Sequence, residues 1–147
     1  DYIHRGDDAG SDWNSDVAFV TTKDSEQGKR LVDAVGGHKV VAGKTTEFNA
    51  TIFGYPHNID KGMTLQTCSK MTKDEWANRK YHFHTVTGCN LKEGASGGPW
   101  LENYNEKTGV GEIRTVTSFG SETEAYLGGP RFDDRAKKLF EEANRDK

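Results

Sequence analysis

The sequence has no long hydrophobic run and no excess of charge of one sign. Its mean hydropathy is -0.85, and no apolar stretch approaches the roughly 20 residues that a membrane-spanning helix requires. The formal net charge is only -3 over 147 residues, with acids and bases interspersed, so no basic stripe is available for nucleic acid or an anionic membrane. The opening DYIHRGDDAG lacks the basic start and apolar stretch of a secretion signal. A soluble chain without nucleic-acid or membrane partners is predicted.

Cysteine is scarce. Cys68 and Cys89 permit at most one internal disulfide, which would close a loop of about 20 residues and stabilise the fold by roughly 3 kcal/mol. From the spacing alone, two buried free thiols are an equal alternative. Asn49-Ala50-Thr51 is a glycosylation sequon, which makes Asn49 a candidate site. Together the sequon and the cysteines favour an extracellular chain.

No histidine follows Ser96, which lies in the stretch EGASGGPW at residues 93–100. This stretch satisfies the Gly-x-Ser-x-Gly pattern of the α/β-hydrolases, in which the serine lies between a strand and a helix and the histidine comes later. Here a strand-like segment follows, so that fold is excluded. Two interpretations remain. The serine either satisfies the backbone hydrogen bonding of a tight glycine turn, or it is an acyl-transfer nucleophile whose small neighbours let a substrate carbonyl approach.

Short segments rich in β-branched and aromatic residues predict strands, and hence an all-β barrel or sandwich. These segments are DVAFVTT, HKVVAG, EFNATIFGY, MTLQTCSKM, YHFHTVTG, PWLENYN and GEIRTVTSFG. The polar stretch KDSEQGKRLVDAVGG predicts a connection. Ala136, Leu139, Phe140 and Ala143 have helical spacing behind an aspartate cap, which predicts one closing helix.

The histidines give little support for a metal site. His82 and His84 would lie on one face of a strand, but no third ligand occurs at a recognisable spacing. His38 and His57 lie beside Gly or Pro in turn-like contexts and are predicted to be surface groups. We therefore expect no metal.

Before the closing helix, four segments occur in this order: SDVAFV, FGYP, GCNLKEGASGGPWL and TVTSFG. Together they resemble the carboxy-terminal part of a trypsin-like serine peptidase, of the secreted bacterial and fungal type related to the glutamyl endopeptidases. The resemblance extends from about Trp13 onward and implies two antiparallel β-barrels with the active site between them. The end of the first barrel and the segment that connects it to the second would then comprise residues 1–37. The complete second barrel would comprise residues 38–130, and the closing helix residues 131–147.

Residue by residue, the resemblance implies that Ser96 is the nucleophile and that Asp16 orients a histidine. The N–H groups of Gly94 and Ser96 would stabilise the oxyanion. The Cys68–Cys89 bridge would tie a loop behind the pocket wall CNLKEG. The residues expected to bind a peptide or protein substrate are Asn90, Thr117, Ser118, Phe119 and Gly120. No cofactor is required.

The chain departs from the family pattern at the general base. The triad histidine should precede the aspartate by some tens of residues, whereas the only earlier histidine is His4, 12 positions before Asp16. The base is therefore expected from a missing amino-terminal segment or a companion chain, and the isolated chain is predicted to be inactive. A non-catalytic binding protein on a peptidase scaffold, or a structural fragment without activity, is the alternative.

The pocket residues narrow the expected specificity only slightly. Asn90 lies where a protease that cleaves after basic residues would carry aspartate, and TVTSFG lacks the histidine of glutamyl-specific relatives. A neutral or small substrate side chain is the resulting expectation. Ala95 replaces the acidic or amide residue of many relatives, so no buried ion pair to a new amino terminus can form there.

Overall fold

Nine short strands form the two sheets of the part of the chain that the structure describes. The computed structural model describes residues 13–44, 46–77 and 81–145. In chain order the strands are β1 (Lys39–Val40), β2 (Asn49–Gly54), β3 (Gln66–Met71), β4 (Lys73–Ala77), β5 (Tyr81–Thr87), β6 (Pro99–Asn105), β7 (Val110–Val116), β8 (Phe119–Gly120) and β9 (Tyr126–Pro130). They form one sheet in the order β1-β7-β6-β2-β3 and a second in the order β4-β5-β9-β8. The all-β prediction is confirmed.

The strands pair antiparallel except β1 and β7, which run parallel. Along β2 the buried residues are every second one, as expected for a strand with one face on the core. Trp100 on β6 and Ile52 on β2 are fully buried, and each such side chain contributes on the order of 2 kcal/mol. The core draws on both sheets and consists of Phe48, Ala50, Ile52, Val86, Cys89, Leu91, Ala95, Trp100 and Leu127.

Two predictions of local structure differ from what is observed. DVAFVTT at 16–22 has no strand partner among the described residues. Strand β9, with the sequence YLGGP, was not predicted, because paired glycines indicate a turn. A Cβ on Gly128 would lie 2.1 Å from the ring of Phe119. The glycine is therefore needed so that the phenylalanine of β8 can pack directly on β9.

The described part of the chain also contains two α-helices, the short α1 (Leu31–Val35) and the closing α2 (Asp134–Arg145). Asp133 caps α2, since its Oδ1 accepts the backbone N–H groups of Arg135 at 2.9 Å and Ala136 at 3.2 Å. The predicted helix and cap are confirmed. Neither helix has both the length and the apolar composition needed to cross a membrane.

Removal of this cap should destabilise the protein modestly. Asp133→Ala leaves two N–H groups of α2 without their acceptor, and we expect the free energy of unfolding to fall by about 1 kcal/mol. Asp133→Asn keeps a side-chain oxygen in place and should lose only a few tenths of that amount. Urea denaturation of both variants tests this. Equal losses in the two variants would show that the cap is not the source of the stability.

Candidate active site

A cleft of about 570 Å³ opens beside Ser96. Besides Ser96 and Leu127, three parts of the chain line it: His57 and Asn58 on the loop after β2, Leu91 to Glu93 before the glycine turn, and Thr117 to Glu122 between β7 and β9. We call the second part, with Cys89 and Asn90, the 89–93 wall, and the third part the 117–122 wall. Four of the residues expected to bind substrate, Thr117, Ser118, Phe119 and Gly120, lie in the 117–122 wall and line the cleft.

Asp16 reaches this cleft through Ser118. The hydroxyl of Ser118 donates to Asp16 Oδ2 at 2.5 Å, although the two residues are 102 positions apart in sequence. The chain around Asp16 is fixed to the second sheet, since Asn14 Oδ1 accepts the backbone N–H of His82 at 2.8 Å. Trp13 also packs edge-on against Phe119, with ring centroids 6.0 Å apart. The expected nucleophile therefore lines the cleft, and the expected acid is hydrogen-bonded to another residue that lines it.

The turn around Ser96 leaves two amide groups without an acceptor. Ala95 N–H donates to the carbonyl of Lys92 at 3.1 Å, and Gly97 N–H donates to that of Thr117 at 2.8 Å. In the part of the chain that the structure describes, the N–H groups of Gly94 and Ser96 have no hydrogen-bond partner. These are the two groups expected to stabilise an oxyanion.

Gly94 has a conformation that other residues rarely adopt. Its φ angle is +92°, and a Cβ there would lie 2.7 Å from the carbonyl oxygen of Tyr55. Both observations exclude a larger side chain without movement of the turn. The glycine at position 94 is thus explained by close backbone packing between the turn and the loop after β2.

The wall behind the turn is cross-linked. Cys68 on β3 and Cys89 form a disulfide, as the family resemblance implies. Ala95 is buried in the core, where an uncharged side chain fits. Asn90 was expected near the base of the pocket, but its side chain is exposed and the cleft lining in this wall starts at Leu91. Asn49 is exposed at the start of β2, and its glycosylation stays a prediction.

No described histidine bonds to Ser96. His38 Nδ1 accepts the N–H of Gly111 at 3.2 Å, and His82 contacts Arg131. His57 is exposed as expected, yet it also lines the cleft, and its ring has no hydrogen bond among the described residues. His4 lies outside the described residues. In the described part of the chain, no histidine is thus hydrogen-bonded to Ser96 as a general base would be.

His82 and His84 occupy different environments. His82 Nε2 lies 2.8 Å from Asp74 Oδ1, and the His82 ring stacks on Trp76 at a centroid distance of 3.9 Å. His84 is completely buried, with no partner for either ring nitrogen among the described residues. Burial, followed by the nearby charges of Arg131 and Arg114, lowers the pKa of His84 from 6.5 to about 4. The described residues contain no group of three or more His, Cys, Asp or Glu side chains suited to a metal.

Two solved structures with a similar fold are serine proteases. The thermostable serine protease AL20 from an extremophilic microorganism matches with a TM-score of 0.78 and 21% identity, over 92% of this chain and 61% of its own. The protease Anisep from Arthrobacter nicotinovorans matches with a TM-score of 0.70 and 24% identity, over 82% of this chain and 54% of its own. The fold is that of the trypsin-like serine proteases. The chain thus spans little more than half the length of these two proteins.

No protein-family model matches the sequence, and a search of curated proteins finds no significant match. At the identities of the two solved structures, the likeness establishes the trypsin-like fold, and the chemistry has to be argued from the residues in the cleft.

Sequence reasoning missed His57 and Asn58, which line the cleft but belong to no motif that indicates catalysis. It also missed Ser121, Glu122 and Leu127, whereas Lys92 lies in the expected pocket wall CNLKEG. The positions of His57 and Asn58 depend on the way the loop after β2 folds back onto the glycine turn, where His57 N–H donates to the carbonyl of Glu93 at 2.6 Å. The only early signal was the FGYP segment that precedes His57.

Proposed function

We propose that this chain is the carboxy-terminal part of a secreted serine endopeptidase that hydrolyses peptide bonds with a Ser-His-Asp triad. One observation carries the proposal: Ser118, which lines the cleft beside Ser96, donates a hydrogen bond to Asp16. An exposed carboxylate held in this way at a cleft that contains a serine in a glycine turn is suited to orient an imidazole.

In the proposed reaction, Ser96 attacks the carbonyl carbon of the substrate while a histidine takes the proton from its hydroxyl. Asp16 holds that imidazole in the correct tautomer and stabilises its charged form. The N–H groups of Gly94 and Ser96 donate to the oxyanion as it develops. The histidine then returns the proton to the leaving amine, and water hydrolyses the acyl-enzyme by the same steps in reverse order.

The histidine of the proposed triad comes from an amino-terminal segment or companion chain. Support comes from the absence of a described histidine on Ser96 and from the greater length of the two proteases with similar structures. Apolar side chains on the segment that follows Asp16 in sequence also lack cover in the described structure: Val20 is 84% exposed, and Leu31, Val32 and Val35 on α1 are exposed as well. A partner that completes the first barrel would cover these side chains and pair with residues 16–22.

The 117–122 wall is suited to bind an extended peptide. Strand β8 lies at the edge of its sheet, with β9 on one side only, so its other edge can pair with the main chain of a substrate. Leu91 and Leu127 add apolar surface to the cleft. These features support a substrate with a neutral or small side chain at the cleaved bond. The exposed Asn49 and the disulfide support secretion.

Covalent labelling tests the proposal. The complete protein, with its histidine-bearing segment verified by intact mass, should react with a peptidyl phosphonate at Ser96, and peptide mapping should find the label there. Ser96→Ala should take up none, because the nucleophile is gone. Ser121→Ala serves as the matched control, since Ser121 also lines the cleft, and it should be labelled normally.

Two further preparations complete the labelling test. This chain alone should stay unlabelled, since a serine without a base is a poor nucleophile. If the complete protein takes up no label and cleaves nothing in a broad peptide library, the protein is a non-catalytic peptide-binding protein and the proposed peptidase function is wrong.

A further inference from the structure

The 89–93 wall is held in place by a side chain from another part of the chain. The amide of Asn58 uses both of its polar atoms on this wall: Nδ2 donates to the carbonyl of Asn90 at 3.1 Å, and Oδ1 accepts the N–H of Lys92 at 3.1 Å. The two bonds fix the backbone on either side of Leu91, whose side chain is buried. Asn58 therefore ties the 89–93 wall to the loop after β2.

Lys92 extends from this wall to the opposite one. Its ammonium donates to the carbonyl oxygens of Glu122 at 2.5 Å and Ser121 at 3.4 Å. The side chain is half-buried, and no carboxylate among the described residues forms an ion pair with it. A charged donor on a neutral carbonyl makes a stronger hydrogen bond than a neutral donor does. The ammonium thus joins the two walls of the cleft directly.

The opposite wall has few other attachments at this point. Strand β8 is two residues long and pairs only with β9. Beyond it, Ser121 N–H donates to the carbonyl of Tyr126 at 3.2 Å. The remaining contacts of Ser121 are local, with its hydroxyl accepting the N–H groups of Thr123 and Glu124. Little besides Lys92 therefore holds residues 121–124 against the 89–93 wall.

We propose that Asn58 and Lys92 form a clamp that sets the width of the cleft, with Asn58 positioning the 89–93 wall and Lys92 joining it to the 117–122 wall. Both are positioning residues, and their effect on substrate rests on the proposed peptidase function. Gly97 N–H is held separately by the carbonyl of Thr117. Loss of the clamp should therefore weaken substrate binding more than it slows the chemical step.

Amide hydrogen exchange tests the clamp without any need for activity. In Lys92→Met, which keeps the apolar stem but removes the ammonium, the N–H groups of Ser121, Thr123 and Glu124 should exchange about tenfold faster. Lys92→Arg retains the donors and should restore most of the protection. Lys107→Met, a change of an exposed lysine on the β6–β7 turn, is the matched control and should leave these amides unchanged. Unchanged exchange in Lys92→Met would overturn the clamp.

Kinetics of the complete protein supply the second readout. For a neutral peptide, Lys92→Met should raise KM about tenfold with kcat within about threefold of the parent. Asn58→Asp, which keeps the acceptor for Lys92 N–H but loses the donor to Asn90, should shift KM in the same direction. A rise in KM confined to peptides with an acidic side chain would instead make the ammonium a substrate ligand and overturn the clamp. If no peptide is cleaved at all, the proposed function fails while the exchange result still decides the clamp.

Discussion

Replacement of Asp16 by asparagine should slow peptide hydrolysis by the complete protein about 10⁴-fold in kcat, by comparison with other triads. The amide favours the imidazole tautomer that cannot accept the proton from Ser96. It also provides no negative charge to stabilise the imidazolium. The fold should survive, because the side-chain oxygen of asparagine can still accept the hydroxyl of Ser118 that now bonds to Asp16 Oδ2. Steady-state kinetics with a cleaved peptide measure the effect, and urea denaturation checks the stability.

Asp24→Asn is the matched control for this substitution. Asp24 is an exposed aspartate on the connecting stretch that follows DVAFVTT, and the same change of charge there should leave kcat within about twofold. If Asp16→Asn retains more than a tenth of the parent activity, Asp16 is not the acid of the triad. Loss of activity together with loss of the folded state would point to a structural role for Asp16. Asp16→Ser, which retains a hydrogen-bonding oxygen, would then be compared with Asp16→Asn.

Acidification should destabilise the protein through His84 by about 3 kcal/mol between pH 6.5 and pH 4. Its imidazole is fully buried, and burial together with Arg131 and Arg114 lowers its pKa to about 4, with Asp74 opposing the shift. Above pH 6.5 the ring is neutral in both the folded and the unfolded chain, so its titration does not change the free energy of unfolding. Below pH 6.5 the unfolded chain binds a proton that the folded chain excludes, and stability falls until the folded pKa is reached.

His84→Phe separates this effect from the titration of carboxylates. The nitrogens of His84 have no partners among the described residues, so a phenyl ring of similar volume sacrifices no hydrogen bond and should cost less than about 1.5 kcal/mol at pH 7.5. The variant should then lose about 3 kcal/mol less than the parent when the pH is lowered to 4. His57→Gln alters an exposed histidine and should keep the steep dependence of the parent. Parallel profiles for parent and His84→Phe would refute the role of His84.

The fold was predictable because its strands carry strong local signals. The segment EFNATIFGY alternates between core and surface in a way that only a strand explains, and β2 is found there with that alternation. The end of the chain has helical spacing and an aspartate cap, and α2 follows Asp133. The sequence YLGGP of β9 locally favours a turn. It forms a strand because Gly128 fits against Phe119, a tertiary contact that no short window of sequence contains.

The candidate site was predictable only where residue type and neighbours both point to the same chemistry. Ser96 could be predicted as a nucleophile from the glycines around it. Asp16 could be predicted as the acid only through the family resemblance. Asn58 has no such signal, since an asparagine in a loop occurs on any surface. Lys92 was expected only as part of the pocket wall CNLKEG, and nothing in the sequence indicates that it joins two walls. Their roles depend on which backbone atoms they reach, and those atoms lie 29 to 34 positions away in sequence. Such contacts become visible only in three dimensions.

The burial of Trp100 gives the protein an intrinsic optical probe at the cleft. Of the three tryptophans, Trp13 is 42% and Trp76 63% exposed, whereas Trp100 is fully buried and its indole N–H donates to Thr117 Oγ1 at 2.8 Å. Trp100 should therefore emit at shorter wavelengths than the other two and resist quenching by iodide, which reaches only exposed rings. Because Thr117 lines the cleft, any occupant that shifts this hydroxyl changes the emission of Trp100, so binding can be followed without an attached dye.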